Sequence, residues 1–393
     1  MAKCAVCLYD VPYDTYTWAL ENTGSAPVVD NNASFYLGRE VRIEATLDLD
    51  ADVVDNMYVQ PNAEAALNEI VAGGGLPQSV RLGDELCPIC HNPLAPGWRF
   101  ANVTVVAMCG ARASGKSLYI ATAVKELKRE LLSKGTSLQM YTDITDENYQ
   151  TYYERPLFEQ MGLMGATVRA DTGQAYQLDP LIFSVGGNHQ NGRQLLVLRD
   201  VAGEELENPP ENDGHLDFMK RADVILFMFD PLSVDAIARR LNDLVPTQAR
   251  SSGSPVQVLD NLQRRIGTTE PVPRVGVALS KFDVMQTLAD IDDQDWSRVM
   301  ANRGSAMMRE RLDSDDPEAD QMLLHQEVKS LLLRMGADEI VNKIENPHTG
   351  QQIPHRFFAI SALGYAPVGE QVSSLGIAPF RVLDPLQWAM EAR

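Results

Sequence analysis

The eight residues Gly110–Ser117, with the sequence GARASGKS, constrain this chain more than any other feature. They match the phosphate-loop pattern G-x-x-x-x-G-K-[ST]. An apolar stretch over Val103–Cys109 predicts a buried strand before the loop, and an amphipathic stretch over Leu118–Leu132 predicts a helix after it. In such a unit the glycines let backbone N–H groups turn towards phosphate oxygens, and the helix adds its positive N-terminal end.

The loop residues have distinct expected roles. Lys116 is expected to reach the β- and γ-phosphates and act in catalysis, and the Ser117 hydroxyl is expected to ligate Mg²⁺. A glycine-rich turn without a ligand is the alternative, and the strand and helix on either side argue against it. The motif alone does not distinguish ATP from GTP. The predicted nucleotide-binding residues of the loop are Gly110, Ala111, Arg112, Ala113, Ser114, Gly115, Lys116 and Ser117.

From residue 101 to residue 393, apolar runs alternate with helical patterns, which predicts an α/β domain with a parallel sheet between helical layers. Together with the phosphate loop, this alternation resembles the three-layer P-loop NTPase fold of the GTPase-like kind. The predicted strands after the first are Gln194–Leu198, Val224–Phe229, Val275–Leu279 and Arg356–Ile360.

The segment Asp200–Gly203 has the form D-x-x-G and follows an apolar strand. Asp200 is expected to hold Mg²⁺ through water, because a parallel sheet presents its ligands at the carboxyl ends of strands. The Gly203 N–H is expected to contact the γ-phosphate, since glycine permits a close approach. A plain turn at the end of the strand is the alternative.

Two further segments predict base selection. Ser280-Lys281-Phe282-Asp283 follows a strand, and the Asp283 carboxylate can accept both N1–H and N2–H₂ of guanine, a donor pair that adenine lacks. The Lys281 stem can cover the purine face, although an ordinary surface pair of Lys and Asp is the alternative. The closing segment after the last strand, expected to contact guanine O6, is Ser361, Ala362 and Leu363.

These motifs, in this order, resemble the guanine-nucleotide-binding domain of translation-factor-related and Ras-like P-loop GTPases. The likeness covers about Asn102–Arg393 and is greatest to bacterial double-GTPase families of the TRAFAC class. The resemblance implies a GTP/GDP switch with Mg²⁺ that works with separately encoded partners, including GTPase-activating-like or effector proteins.

The chain departs from that family pattern at three positions. Ser280 stands where the base motif usually begins with Asn or Thr, and Arg112 stands where Ras-like loops often have Gly. Glu204 occupies the position that is often Gln or His. Arg112 and Glu204 are therefore candidate catalytic residues, and hydrolysis is expected to be slow or partner-dependent. A nucleotide-binding scaffold with negligible hydrolysis and an ATPase of another P-loop class are the alternatives.

The threonine expected to reach Mg²⁺ from the switch loop lies in a long insertion near residues 143–177. Thr167 and Thr172 both precede an apolar stretch over Leu181–Val185 that predicts a strand. We favour Thr172 as a magnesium ligand and catalytic residue, and the alternative is that both are loop hydroxyls.

Residues 1–100 contain four of the five cysteines, in two C-x-x-C pairs. Two such pairs predict a tetrahedral Zn²⁺ site that joins the ends of an insertion over residues 8–86, in a small α+β module separate from the nucleotide site. A redox C-x-x-C and His91 as a ligand are the alternatives. Short strands are expected over Phe35–Leu49 and a helix over Ala63–Ala72. The predicted zinc ligands are Cys4, Cys7, Cys87 and Cys90.

The net charge of the chain limits the classes of partner that it is expected to bind. Asp and Glu number 54 against 34 Lys and Arg, which gives a formal net charge of −20. Such a surface argues against sequence-independent binding to nucleic acid. The sequence has no apolar run long enough to span a bilayer, and its first residues, MAKCAVCLYD, lack an apolar signal core. A cytoplasmic location without a membrane partner is therefore expected.

Overall fold

The computed structural model of the chain describes residues 2–165, 176–186, 193–210, 213–241, 253–267, 269–290, 294–311 and 317–391. The strands are β1 (Thr15–Glu21), β2 (Val28–Val29), β3 (Arg42–Ile43), β4 (Ala45–Asp50), β5 (Asp52–Val54), β6 (Met57–Val59), β7 (Arg81–Leu86), β8 (Asn102–Cys109), β9 (Leu138–Met140), β10 (Leu181–Val185), β11 (Gln194–Arg199), β12 (Val224–Phe229), β13 (Arg274–Leu279) and β14 (His355–Ala359). The α-helices are α1 (Asn31–Leu37), α2 (Ala63–Ala72), α3 (Lys116–Ser133), α4 (Asp143–Tyr149), α5 (Gly203–Glu207), α6 (Asp235–Arg240), α7 (Pro255–Ile266), α8 (Phe282–Gln286), α9 (Gln294–Met300), α10 (Pro317–Arg334), α11 (Asp338–Glu345) and α12 (Asp384–Glu391).

A seven-stranded sheet in the order β14-β13-β12-β8-β11-β10-β9 forms the centre of the molecule. Strands β8, β11, β12, β13 and β14 run parallel, whereas β10 is antiparallel to both of its neighbours. Every residue of β12 is buried, as expected for a strand that is covered on both faces. The predicted α/β fold is confirmed, and the predicted strands of this sheet agree with the observed ones to within a residue.

The N-terminal part contains a second, three-stranded antiparallel sheet in the order β4-β1-β7. Its core is separate from that of the large sheet and contains Tyr16, Trp18, Leu20, Leu47 and Leu67. The rings of Tyr16 and Trp18 stack with their centroids 5.6 Å apart. This part is thus a small α+β unit, as predicted.

The prediction of strands throughout Phe35–Leu49 is wrong at its start, where the structure has helix α1. The Asp30 side chain caps this helix by accepting from the Ala33 N–H at 2.9 Å. Gly38 ends it with a left-handed φ of 78°. These two caps outweigh the apolar alternation, and strands β3 and β4 follow only after Gly38.

The cysteine-bearing segments belong to the core of the large sheet. Cys4, Cys7, Cys87 and Cys90 are buried in the same apolar cluster as strands β8, β11 and β12. The domain boundary near residue 100 stays a prediction, but the cysteines do not pack with the three-stranded sheet.

The predicted insertion between α3 and β10 begins with α4 and continues as a π-helix over Gln150–Glu159. Pro156 lies inside this helix and has no N–H to donate, which disturbs the regular α-helical bonding. Tyr153 and Leu157 turn into the core. None of the helices in the described residues combines the length and apolar character needed to cross a membrane.

We predict that Trp18→Ala destabilises the three-stranded sheet by about 3–5 kcal/mol, because it empties the centre of a small core. Limited proteolysis followed by mass spectrometry should detect new cleavage between residues 12 and 86, while the cleavage pattern of residues 102–391 stays as in the wild type. Trp388→Ala, in the large core, is the matched control and should expose that larger part instead. Equal loss of resistance along the whole chain in Trp18→Ala would show that the small sheet has no separate stability.

Candidate nucleotide-binding site and cysteine cluster

The predicted site residues meet at the carboxyl ends of the parallel strands. Gly110 follows β8, Asp200 follows β11, Ser280 follows β13, and Ser361 lies two residues beyond β14. Open α/β sheets bind their ligands at this edge. The loop, the acidic residue and the base motif are therefore brought together as the sequence predicts.

Glycine is required in the loop at Gly110 by both conformation and space. Its φ is 149°, and a Cβ there would lie 2.2 Å from the Met228 carbonyl oxygen on β12. Gly115, with a left-handed φ of 88°, leads directly into α3. The loop therefore curls at the positive end of a long helix, an arrangement that favours anions.

Two buried side chains of the loop fit a phosphate group. The Lys116 amine donates to the carbonyl oxygens of Gly110 at 2.8 Å and Ala111 at 3.1 Å. Burial lowers the pKa of Lys116, and the nearby Asp200 carboxylate opposes that shift. The Ser114 hydroxyl is buried without a hydrogen-bond partner among the described residues. A phosphate would supply the acceptors that such buried donors require.

The Asp200 carboxylate lies against the start of α3. Its Oδ2 accepts from the Ser117 hydroxyl at 2.9 Å and from the Tyr153 hydroxyl at 3.3 Å, and its Oδ1 accepts from the Val201 N–H at 2.9 Å. Burial raises the pKa of Asp200, while Lys116 and the bond from Ser117 oppose the rise. Carboxylate and hydroxyl oxygens suit Mg²⁺, so the donor set fits the predicted cation.

Helix α5 covers the loop. A Cβ on Gly203 would lie 2.4 Å from the Arg112 nitrogen, so only glycine permits this contact. The Arg112 guanidinium pairs with Glu204 at 2.7 Å, and its backbone N–H donates to Glu207 at 2.7 Å. Two of the predicted catalytic residues, Arg112 and Glu204, thus contact each other in this conformation, and a carboxylate holds an amide of the phosphate loop.

The base motif is connected to neighbouring strands. The Lys281 amine pairs with Asp230 at 2.6 Å, and the Ser280 hydroxyl donates to the Phe229 carbonyl at 2.8 Å. Ser280 thus bonds to the end of β12 and not to the phosphate loop. Asp283 accepts from the Ser361 hydroxyl at 2.5 Å. Burial raises the pKa of Asp283, and the Ser361 bond opposes the rise.

The closing segment is fixed by backbone bonds. Ser361 and Phe380 exchange N–H to carbonyl bonds at 3.0 and 2.8 Å, and the Leu363 carbonyl accepts from Ala378 at 2.9 Å. Ala362, between them, is half-buried. Ser361 therefore lies beside Asp283, as expected for one base-binding corner. Thr167 and Thr172 lie outside the described residues.

Three residues at the site were not predicted from sequence. Tyr153 comes from the π-helix, and only the fold brings it to Asp200. Asp230 directly follows an apolar strand, as Asp200 does. This position could have identified it as a site residue from the sequence. Arg199 is a fully buried cation at the end of apolar β11. A charged residue in an otherwise apolar strand could have identified it from the sequence.

The four cysteines of the N-terminal pairs form a buried cluster. All four sulfurs lie within 4.8 Å of one another, with Cys4 and Cys90 at 3.6 Å and Cys7 and Cys87 at 3.8 Å. A tetrahedral site with metal–sulfur bonds of about 2.3 Å has sulfur–sulfur edges of about 3.8 Å. The cluster therefore has the dimensions of a four-cysteine zinc site.

Hydrogen bonds among the four cysteines lower the pKa of the Cys87 thiol and raise the pKa of the Cys4 thiol, and the pKa of Cys7 is raised as well, so without a metal the cluster favours a single thiolate. The alternatives find less support in the geometry. The His91 Nδ1 pairs with Asp30 at 2.7 Å, outside the cluster. The cysteines are all free thiols, and the two pairs face each other, unlike a single redox pair.

A family profile described as Double-GTPase 2 matches residues 104–334 of the chain. A relative from Mycolicibacterium smegmatis, the putative ESX-1 scaffolding and assembly protein SaeC, is 38% identical over 392 residues, covering 99% of this chain and 98% of the relative.

Solved structures show much weaker likeness. The bacterial selenocysteine-specific elongation factor EF-Sec has 12% identity and a TM-score of 0.27, and the match covers 73% of this chain and 28% of that one. The GTPase-like domain of Saccharomyces cerevisiae Ski7, bound to GDP and inorganic phosphate, has 10% identity and a TM-score of 0.33, with 74% and 50% covered.

Proposed function

The chain belongs to the Double-GTPase 2 family, and we propose that it is a guanine-nucleotide switch that hydrolyses GTP slowly or with a stimulating partner. The predicted double-GTPase resemblance is thus confirmed at the level of the family. The observation that carries the proposal is the convergence of the phosphate loop, Asp200 and the Asp283–Ser361 pair at one edge of the sheet.

The phosphate half of the site works by position and charge. Lys116 exchanges the loop carbonyls for the β- and γ-phosphates, and the loop N–H groups bind the remaining oxygens. Ser117, with Asp200 through water and Thr172 from the switch loop, would hold Mg²⁺, which neutralises phosphate charge when bound. The Gly203 N–H contacts the γ-phosphate once α5 moves off the loop.

The base half selects guanine. Asp283 accepts from the two nitrogen donors of guanine, and Ser361 keeps its carboxylate in place. Lys281 covers the ring, Ser280 fixes the turn, and Ala362 and Leu363 complete the corner. This arrangement opposes the ATPase alternative, because adenine has no matching donor pair.

Hydrolysis depends on Glu204 and Arg112. Glu204 would orient water and Arg112 would balance phosphate charge, but each first has to leave the 2.7 Å pair between them. Glu207 also has to release the Arg112 amide. These contacts support slow intrinsic turnover that a GTPase-activating-like or effector partner accelerates.

A nucleotide-binding scaffold with negligible hydrolysis is the second candidate. The Arg112–Glu204 pair favours it, and so does the name of the relative, which describes scaffolding and assembly. Single-turnover assays with and without proteins from neighbouring genes distinguish the two candidates. Absence of turnover in both assays would favour the scaffold. We also propose a cytoplasmic location.

We further propose that residues 1–100 form a zinc module and residues 101–393 the GTPase domain. The sulfur spacing supports a structural Zn²⁺ held by Cys4, Cys7, Cys87 and Cys90.

Lys116→Ala should weaken binding of GTP and GDP at least about 100-fold, because it removes charge-assisted bonds to two phosphates. Isothermal titration with both nucleotides measures the change. Lys128→Ala, on the exposed face of the same helix, is the matched control and should bind like the wild type. Unchanged affinity in Lys116→Ala would exclude the phosphate-loop assignment.

Asp283→Asn should reverse the base preference from guanine to xanthine by about 100-fold, because the amide donates where the carboxylate accepts. Competition of GDP, XDP and ADP for the protein measures this preference. Asp338→Asn, an exposed carboxylate on α11, should leave it unchanged. Equal affinity of the wild type for ADP and GDP would contradict the base assignment.

Protein purified under reducing conditions should contain one zinc per chain, measured by elemental analysis. Cys87→Ser should lose that zinc, since three thiolates hold the metal less tightly than four. Cys109→Ser changes a buried cysteine outside the cluster and should retain it. Metal-free wild type would refute the zinc site.

A further inference from the structure

We propose that the cysteine knuckle, defined as residues 4–8 and 87–91, positions Asp200 through Arg199. Zinc at the cysteines and Mg²⁺-dependent nucleotide binding at the phosphate loop are then coupled. The inference rests on the proposed function and adds a means of regulating the same site. It differs from the expectation that the zinc site is separate from the nucleotide site.

Arg199 is the physical link. It is the last residue of β11 and is fully buried. Its guanidinium donates to the carbonyl oxygens of Ala5 at 3.2 Å and Val6 at 3.3 Å, which lie between the ligands Cys4 and Cys7. The guanidinium carbon also lies 4.3 Å from the centre of the Phe218 ring. The knuckle therefore determines where the end of β11 lies.

Asp200 is the next residue, and its carboxylate meets Ser117 and Tyr153. Neighbouring side chains at the end of a strand point to opposite faces, so Arg199 is held on one face and Asp200 acts on the other. One peptide bond separates the two contacts. A shift of the knuckle therefore moves the carboxylate relative to Ser117.

Charge gives the link its dependence on metal. Four cysteine thiolates with one Zn²⁺ carry a net charge of −2, which complements the buried guanidinium of Arg199. Without zinc the four sulfurs are no longer held by one ion, so the Ala5 and Val6 carbonyls that Arg199 contacts can shift, while the buried guanidinium keeps the attraction of Asp179. Loss of zinc thus favours displacement of Arg199 from the knuckle.

The same N-terminal part also contacts the segment that follows D-x-x-G. A Cβ on Gly214 would lie 2.3 Å from the ring of Phe35, and a Cβ on Gly38 would lie 2.9 Å from the Cβ of His215. His215 in turn lies 3.5 Å from Glu205 of α5. These contacts connect the N-terminal part to α5, so the coupling has a second route to the phosphate loop.

The first test uses wild-type protein, because coupling between two sites is reciprocal. Zinc affinity is measured by competition with a zinc-selective chelator, with no nucleotide, with GDP and Mg²⁺, and with ADP and Mg²⁺. GDP with Mg²⁺ should raise zinc affinity at least about fivefold, and ADP should not. Lys116→Ala is the control. It should bind GDP far more weakly, so any change in its apparent zinc affinity comes from zinc bound by the nucleotide in solution. Equal zinc affinity in all conditions overturns the proposal.

The second test changes the link. GDP affinity is measured with and without Mg²⁺. A chelating resin removes Mg²⁺ from the buffer, because EDTA in solution would also remove zinc from the protein. Arg199→Met should reduce several-fold the increase in GDP affinity that Mg²⁺ produces. Arg199→Lys should restore part of this increase. Arg193→Met, an exposed arginine just before the same strand, should match the wild type. Lower stability with an unchanged Mg²⁺ gain would mean that Arg199 is only structural.

The outcomes separate the two proposals. A wild type that binds no guanine nucleotide refutes the proposed function and the coupling together. A wild type that binds GDP with Mg²⁺ at unchanged zinc affinity refutes the coupling alone. If the Arg199 variants do not fold, the wild-type zinc competition still decides.

Discussion

The close approach of Gly110 to the Met228 carbonyl is the contact on which the rest of the site depends. A Cβ would lie 2.2 Å from that oxygen, so the loop can rest against the end of β12 only without a side chain. This contact places Lys116 at the start of α3. Two residues past Met228, Asp230 holds Lys281 of the base motif. Strand β12 thus joins the phosphate and base halves of the site.

The sequence predicts the parts of the molecule that depend on local pattern. Strands β8, β11, β12, β13 and β14 are continuous apolar runs, and the loop has a fixed spacing of glycines and lysine, so both are readable. Contacts between segments that lie far apart in the sequence cannot be predicted from such patterns. Tyr153 reaches Asp200 from 47 residues away, and Arg199 reaches Val6 from 193. The prediction of a strand over Phe35–Leu37 is wrong because the caps of α1, and not the apolar pattern, decide the structure there.

Acidic residues compete with phosphate for the loop. Glu204 holds the Arg112 side chain and Glu207 holds its N–H, so carboxylates already occupy groups that a nucleotide needs. In a chain of net charge −20 the approach of a triphosphate is also opposed at long range. In the proposed function, Mg²⁺ and the buried amine of Lys116 would therefore contribute a large share of the attraction, and a partner that moves α5 would remove a competitor.

The contact between Arg199 and the knuckle also bears on how the protein is made. All four cysteines of the cluster precede Arg199 in the chain, and Cys90 does so by 109 positions. At about 5–20 residues per second, a ribosome needs roughly 5–20 s to add β11 after the last of these cysteines. During that interval the thiols lack the strand that buries them and are open to oxidation or to metal. Metal loading during translation would protect them before the nucleotide site exists.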